Sequence, residues 1–386
     1  MKKILVIGGS PKSLINFRGE LIKRFLSHGL KVYACAGGES DYLKNWFNKV
    51  GVKFIPLPLD RTGTNLYKDF IYFMKLLSTI KKISPDIVLA YTVKPVIYGM
   101  IASRISNVKN CYALITGIGY ALIPPKSLKQ RILNIIVSLL YNFSLKSVNS
   151  IFFQNQDDLN LFFKKKIISK SIKIKIINGS GVDLDYYTYT KPNPRKEGIN
   201  FLLISRLLKD KGIYEYVSAA KIVYKLFPQK NISFSILGPF DSNPESITLE
   251  EVQLWNRKGL INYLGESDDV RPYIAKCSVF VLPSYREGMP RSVLEAMAMG
   301  RAIITTNVPG CKETVISGKN GYLVKEKSSQ ELATAMVKFI KNEKYIEEMG
   351  QYSRKLASKK FNVHDINSIL LEEMKIINSF NKDKLI

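Results

Sequence analysis

Two doubly wound α/β units, each a parallel sheet covered by helices on both faces, are what this chain of 386 residues predicts. Three observations carry that expectation. Continuous apolar runs rich in β-branched residues alternate with longer helical patterns, which is how strands buried on both faces of a parallel sheet read. The alternation stops once, at the proline- and charge-rich TKPNPRKEGIN (190–200), and then begins again. The length also exceeds what one ordinary core fills.

In chain order, KILVIGG opens the first half as a strand running into a glycine turn, and FRGELIKRFLSHG follows with helical spacing. KVYACAG, SDYLKNWFNKVG and VKFIPLP repeat strand, helix, strand. DFIYFMKLLSTIKKI reads as a helix, DIVLAYT as a strand, PVIYGMIASRI as a helix and NCYALITG as a strand. A long helix from about Ser127 to Lys146 and the strand SIFFQN close the half. Beyond the linker come INFLLIS, a helix over Ile213–Phe227, ISFSILG, a helix near 249–258, and the runs INYLG, SVFVLPS, AIITTN and GYLV. Helical pattern then runs from Gln330 with no turn signal except KKFN (359–362). The units expected are 1–188 and 200–362, joined by a linker at 189–199 and followed by a helix over 363–386.

Composition is ordinary for a globular chain, 46% hydrophobic and 23% charged, but the formal charge of +26 is not. Residues 1–190 hold 28 Lys and Arg against 10 Asp and Glu, and the remainder holds 30 against 22. A surplus concentrated in the first half suits nucleic acid, an anionic membrane surface or phosphate-bearing substrates, or simply keeps a lysine-rich protein soluble. Nucleic acid is not expected, because the aromatics fall on core positions and lysine outnumbers the planar, base-reading arginine. Cys35, Cys111, Cys277 and Cys311 are scattered, as suits a reducing compartment. The apolar start MKKILVIGG is too short for a signal peptide, and no run reaches the roughly 18 to 20 apolar residues that span a bilayer. The protein is expected in the cytoplasm.

Open parallel sheets bind ligands at the carboxyl ends of their strands, and the chemically interesting residues fall there. GGSPKS (8–13) follows the first strand; its amides and the next helix start can hold an anion, and read alone it is equally a tight turn. It is no dinucleotide fingerprint, lacking G-x-G-x-x-G. ISRLLKDKG (204–212) places Arg206 and Lys211 just past the first strand of the second half, where a planar fork and a point charge can neutralise a diphosphate. EGMPRSVLEA (287–296) puts Glu287 in the exit loop of SVFVLPS, with Pro290 at the helix start and Glu295 about two turns further on. A carboxylate accepts paired hydrogen bonds from vicinal hydroxyls, so one acid can face a sugar and the other a ribose. Read alone, Glu295 is equally a helical acid paired to a nearby cation.

Together these segments resemble the retaining glycosyltransferases of family 4, which have the two-Rossmann-domain GT-B fold. The likeness spans nearly the whole chain and is densest over 200–325. It rests on Arg206 and Lys211, on EGMPRSVLEA, on GVDLDYY (181–187) and on VPGCKE (308–313). INFR (15–18), AYTVKP (90–95) and LITGIGYA (114–121) resemble the subgroup that builds O-antigens, capsules and glycoprotein glycans on undecaprenyl diphosphate. The resemblance implies a UDP-linked sugar as donor, a lipid-diphosphate-linked sugar as acceptor and a last helix crossing back to the first domain. Arg206 and Lys211 would bind the donor diphosphate and offset the charge that develops as it leaves. Glu287 with Gly288 and Met289 would contact the donor sugar, Glu295 the ribose, and Gly310 and Glu313 the far wall of the sugar pocket. The Gly8–Gly9–Ser10 turn would approach the same phosphates. Asn16, Arg18, Lys94, Thr116, Gly117 and Gly119 would face the acceptor.

One departure matters. Many family members carry a histidine near the sugar, whereas this chain has only His28, at the SHG helix end, and His364. Both suit structural positions. With no histidine base and no carboxylate nucleophile in the first half's strand-end loops, a front-face displacement is expected, the leaving phosphate taking the acceptor proton. Asp183 and Asp185 sit at the joint, and the family needs no metal there because cationic side chains supply the charge.

KSLKQRILNIIVSLLYNFSLKS (126–147) sets Lys126, Lys129 and Arg131 before an apolar stretch too short to cross a bilayer but suited to its surface. KKKIISKSIKIK (164–175) adds six lysines. Peripheral docking on the anionic inner face of the cell membrane is expected, with 132–143 equally able to be a core helix. A sugar-nucleotide 2-epimerase on the same scaffold is the competing enzyme reading; the scarcity of histidine weighs against it.

Overall fold

A computed structural model describes residues 1–377 except 39, 40, 62, 64, 126, 193–197, 242 and 244, with the side chains of 41, 42 and 120 left aside. Lys126, the middle of the expected linker and the end of the expected last helix lie outside the described residues. Two compact units emerge. Among the described residues, 1–180 with 364–377 form the first, and Gly181–Val363 the second.

The first unit runs β1 (Lys3–Ile7), α1 (Pro11–Ser27), β2 (Lys31–Gly37), α2 (Asp41–Lys49), β3 (Lys53–Leu57), α3 (Leu66–Ile83), β4 (Ile87–Tyr91), α4 (Val93–Ile105), β5 (Asn110–Ile115), the single turn α5 (Gly119–Leu122), α6 (Leu128–Leu145), β6 (Ser150–Phe153), α7 (Gln156–Lys164) and β7 (Ile174–Ile176). The seven strands are all parallel in the order β3-β2-β1-β4-β5-β6-β7. Because strand side chains alternate between faces, β1 feeds two cores. Leu5 and Ile7 pack under α3, α4 and α6, while Ile4 and Val6 pack under α1. β7 begins at the end of the lysine-rich 164–175; it is an edge strand, and Lys175 at its centre is the kind of residue that keeps an edge from pairing further.

The second unit begins with β8 (Ile199–Ile204) and a short 3-10 turn at Lys209–Lys211, then α8 (Ile213–Leu226), β9 (Ile232–Leu237), α9 (Leu249–Arg257), β10 (Asn262–Tyr263), α10 (Arg271–Lys276) and β11 (Val279–Leu282). It continues with α11 (Arg291–Ala298), β12 (Ala302–Thr306), a 3-10 turn at Lys312–Thr314, β13 (Gly321–Val324), α12 (Ser329–Lys341) and α13 (Lys344–Lys360). Its six parallel strands are ordered β10-β9-β8-β11-β12-β13. Phe201 and Leu203 of β8 face one core and Leu202 and Ile204 the other.

One boundary differs from the reading above for an identifiable reason. GVDLDYY falls in the second unit, because Val182 bridges Asn362 and the Arg354 guanidinium donates to the carbonyls of Leu184 and Tyr187. The helix α14 (Val363–Glu373) belongs to the first unit: Ile366, Leu370 and Leu371 are buried in the same cluster as Ile4 and Val6. No helix among the described residues is long and apolar enough to cross a membrane.

Candidate active site

In each sheet the strand order reverses once, between β1 and β4 and between β8 and β11. At such a reversal the flanking connections leave toward opposite faces and open a crevice at the carboxyl edge. Arg206 and Lys211 follow β8, and Glu287 follows β11, so the second unit's expected groups lie at its reversal. Gly9 and Ser10 follow β1, and Lys94 lies just past β4, at the other.

Close backbone approach draws the second unit's loops together. Gly212 has φ +70, and a Cβ there would stand 2.1 Å from the Pro283 carbonyl oxygen, so a side chain would push the β8 and β11 exits apart. The Tyr285 amide donates to the Asp210 carbonyl across the same gap, at 2.8 Å. Lys211 thereby meets Glu287, Nζ to Oε1 at 2.7 Å, and the buried Ser284 hydroxyl donates to the same oxygen at 2.8 Å. Burial works against the lysine's charge, but Glu287 and Asp210 outweigh it and hold its pKa above the ordinary value. Gly310, at φ +83, lies against the Glu287–Gly288 backbone: a Cβ would come within 2.3 Å of the Glu287 carbonyl oxygen. The β12 exit thus touches the acid loop, and Glu313 lies three residues on, in the 3-10 turn. Met289 is partly buried against the core beneath α11.

Arg206 is held differently. Its Nη1 lies 2.6 Å from Asp241 Oδ2, in the loop after β9. Glu295 is buried on α11, and its Oε1 accepts from Arg291 Nε at 2.7 Å and from the Tyr187 hydroxyl at 2.8 Å. The structure therefore joins Lys211, Glu287, Gly288 and Gly310 directly, whereas Arg206 and Glu295 each stand in a separate ion pair.

The first unit's residues behave otherwise. The Ser10 side chain caps α1 by accepting from the Ser13 amide at 3.3 Å. Asn16 is exposed, but Arg18, two residues further along α1, is only 2% exposed and stands over the Tyr91 ring with its guanidinium carbon 5.1 Å from the centroid. Lys94 gives its ammonium to the buried Asp69 at 2.5 Å and to the Asp60 carbonyl at 2.7 Å. Both acceptor-side cations are thus engaged inside the unit. Thr116 and Gly117 are half-buried past β5, with Gly119 exposed at the start of α5. His28 caps the α1 end, its Nδ1 2.7 Å from the Arg24 carbonyl oxygen.

Asp241, Ser284, Arg291, Tyr187 and Asp69 escaped sequence reasoning. Asp241 and Ser284 follow recognisable strands, so the strand-end rule that found Glu287 would have reached them. Tyr187 and Asp69 carry no local signal, since each meets its partner only through the fold.

Two Rossmann-like sheets, with cations and acids gathered at the second one's strand ends, define a GT-B glycosyltransferase, and this chain is one. It carries a Glycosyl transferase 4-like domain over residues 17–155 and a Glycosyl transferases group 1 domain over 189–356. It is similar to the N,N'-diacetylbacillosaminyl-diphospho-undecaprenol alpha-1,3-N-acetylgalactosaminyltransferase of Campylobacter jejuni, 27% identical over 86% of this chain and 88% of that one. It is similar too to the Escherichia coli UDP-Gal:alpha-D-GlcNAc-diphosphoundecaprenol alpha-1,3-galactosyltransferase, at 24% identity over 85% and 84%. The fold is shared with Anabaena HepE, crystallised with UDP and glucose: the TM-score is 0.79 at 20% identity, covering 98% of this chain and all 100% of that one.

Proposed function

We propose that the protein is a retaining transferase moving a hexose or N-acetylhexosamine from a UDP-linked sugar to an undecaprenyl-diphosphate-linked sugar, in O-antigen, capsule or related surface-glycan assembly. The Lys211–Glu287 pair at the strand-order reversal is the observation that carries this reading. A buried lysine whose charge is secured by a neighbouring acid is a fixed positive group, and its task is to meet negative charge developing on the departing diphosphate. Arg206 assists from the neighbouring strand end. Glu287, with Gly288 and Met289, accepts from sugar hydroxyls; Gly310 and Glu313 bound the sugar; Glu295 takes the ribose; Gly9 and Ser10 offer amides to phosphate.

In the proposed step the acceptor hydroxyl oxygen bonds to the anomeric carbon on the face the phosphate leaves. The bond from that carbon to the β-phosphate oxygen breaks with its electron pair. The acceptor proton passes to that same phosphate oxygen, and UDP departs. Charge neutralisation by Arg206 and Lys211 makes turnover insensitive to EDTA.

The acceptor's lipid tail places the work at the cytoplasmic face of the membrane. Leu128, Ile132, Ile135, Ile136, Leu139 and Phe143 form an apolar stripe on α6, every one at least 45% exposed, while Val137, Tyr141 and Leu145 hold the opposite face in the core. Leu66, Tyr67, Phe70, Ile71 and Met74 form a second stripe on α3. Lys129 and Arg131 flank the first, Arg104 stands over Phe143, and Lys165 reaches Asn134, so the apolar surface has a cationic rim suited to anionic lipid.

Incubation of the full chain with a panel of UDP sugars and a short-chain lipid-diphosphate–sugar acceptor, followed by linkage analysis, tests the reaction. An α-linked product from one donor is expected, and no product from any donor overturns the reading. Sedimentation with vesicles tests docking: binding rises with phosphatidylglycerol content, and the paired change Ile135→Ser with Leu139→Ser lowers it several-fold.

A further inference from the structure

We propose that Tyr187 and Arg291 are positioning residues that fix the Glu295 carboxylate for the nucleotide ribose. The inference rests on the ribose reading of Glu295 and asks what makes that acid effective. An aliphatic carboxylate turns freely, and a diol is gripped well only when one oxygen is already committed and the other aimed. Here both protein donors end on the same oxygen, Oε1, at 2.7 and 2.8 Å, and Oε2 lies outside that pair of bonds.

The Tyr187 hydroxyl is itself held. The residue's amide donates to the Asp183 carbonyl at 2.9 Å, its own carbonyl accepts from Arg354 at 2.8 Å, and its ring is buried in the cluster beneath α11. Burial pushes its ionisation well above the ordinary phenol range, so it remains a donor at every working pH. A phenylalanine would fill the same space. The oxygen therefore adds nothing to packing, and it serves the polar pair of Glu295, to which it donates, and Arg291 beside it. Arg291 precedes Glu295 by one helical turn, which brings the guanidinium over the same oxygen and keeps a buried acid paired.

Calorimetric titration of the full chain with UDP and with 2′,3′-dideoxy-UDP separates this role from a merely structural one. Wild type binds UDP more tightly than the dideoxy analogue. Tyr187→Phe weakens UDP about 5- to 20-fold, the scale of one hydrogen bond to a charged group, and leaves the dideoxy analogue within about twofold. Arg291→Lys, which keeps the charge and loses the planar Nε–H, shows the same selective loss. Equal weakening of both ligands, or unchanged UDP binding in both variants, overturns the proposal. A wild type indifferent to the ribose hydroxyls overturns the ribose reading together with it, and that result appears before any variant is made.

Discussion

The strand-end loops of the two units carry similar residue types and use them in opposite ways. In the second unit, Lys211, Glu287, Arg206 and Asp241 are paired at the carboxyl edge itself, 2.6 to 2.7 Å apart, in loops joined by backbone contact. In the first, Lys94 is spent on Asp69 beneath the edge and Arg18 is buried against Tyr91. The edge there presents amides, glycines and hydroxyls. On the proposed function, one unit stabilises a specific charge and the other accommodates the acceptor.

The largest effect that can break the comparison is on catalysis. Lys211→Ala and Arg206→Ala should each lower kcat by about 10² to 10³, the cost of removing one charge-stabilising group from a transition state; near-normal turnover in both would place the charge-stabilising work elsewhere. Next comes stability of the first unit. Lys94→Ala leaves the buried Asp69 without a counter-ion, held only by the Tyr98 hydroxyl, and should cost about 3 kcal/mol by urea unfolding, with part recovered by adding Asp69→Asn. Unchanged stability with a raised acceptor KM would return Lys94 to the acceptor site and dissolve the contrast. The smallest effect is a control far from either edge. Thr248→Ala removes the α9 capping box and should cost about 1 kcal/mol with kcat unchanged. The Thr248 amide, and then the Tyr214 hydroxyl, hold Glu251 below the ordinary carboxylate range. The stability this contributes is present above the unfolded carboxylate pKa and fades as pH falls through the lower folded value.

The fold was legible because strands buried on both faces leave continuous apolar runs, and nearly every such run became a strand. β7 was the exception: IKI is three residues long and flanked by lysines, too little apolar sequence to stand out. Within the second unit, Lys211 and Glu287 were legible because both fall at strand exits with glycine or proline punctuation. Their partners were not. Tyr187 lies 108 positions from Glu295, and Asp69 lies 25 from Lys94, so no local pattern announces either contact. The same blindness made Arg18 and Lys94 look available, since a cation in a loop motif reads alike whether it faces solvent or a buried acid. The apolar stripe on α3 was hidden by the helix's ordinary amphipathic look; only its exposure distinguishes it.

α14 has a consequence for biosynthesis. Ile366, Leu370 and Leu371, at most 2% exposed, complete a core shared with α1, α2, β1, β2, β4, β5 and β6, so the unit translated first lacks part of its interior until the ribosome has delivered the whole second unit. A nascent first unit must wait with an open apolar groove, in reach of chaperones or of other copies. Severing the chain between the units therefore yields an incomplete piece, and a free-standing first unit calls for residues 364–377 to be grafted back by a short tether.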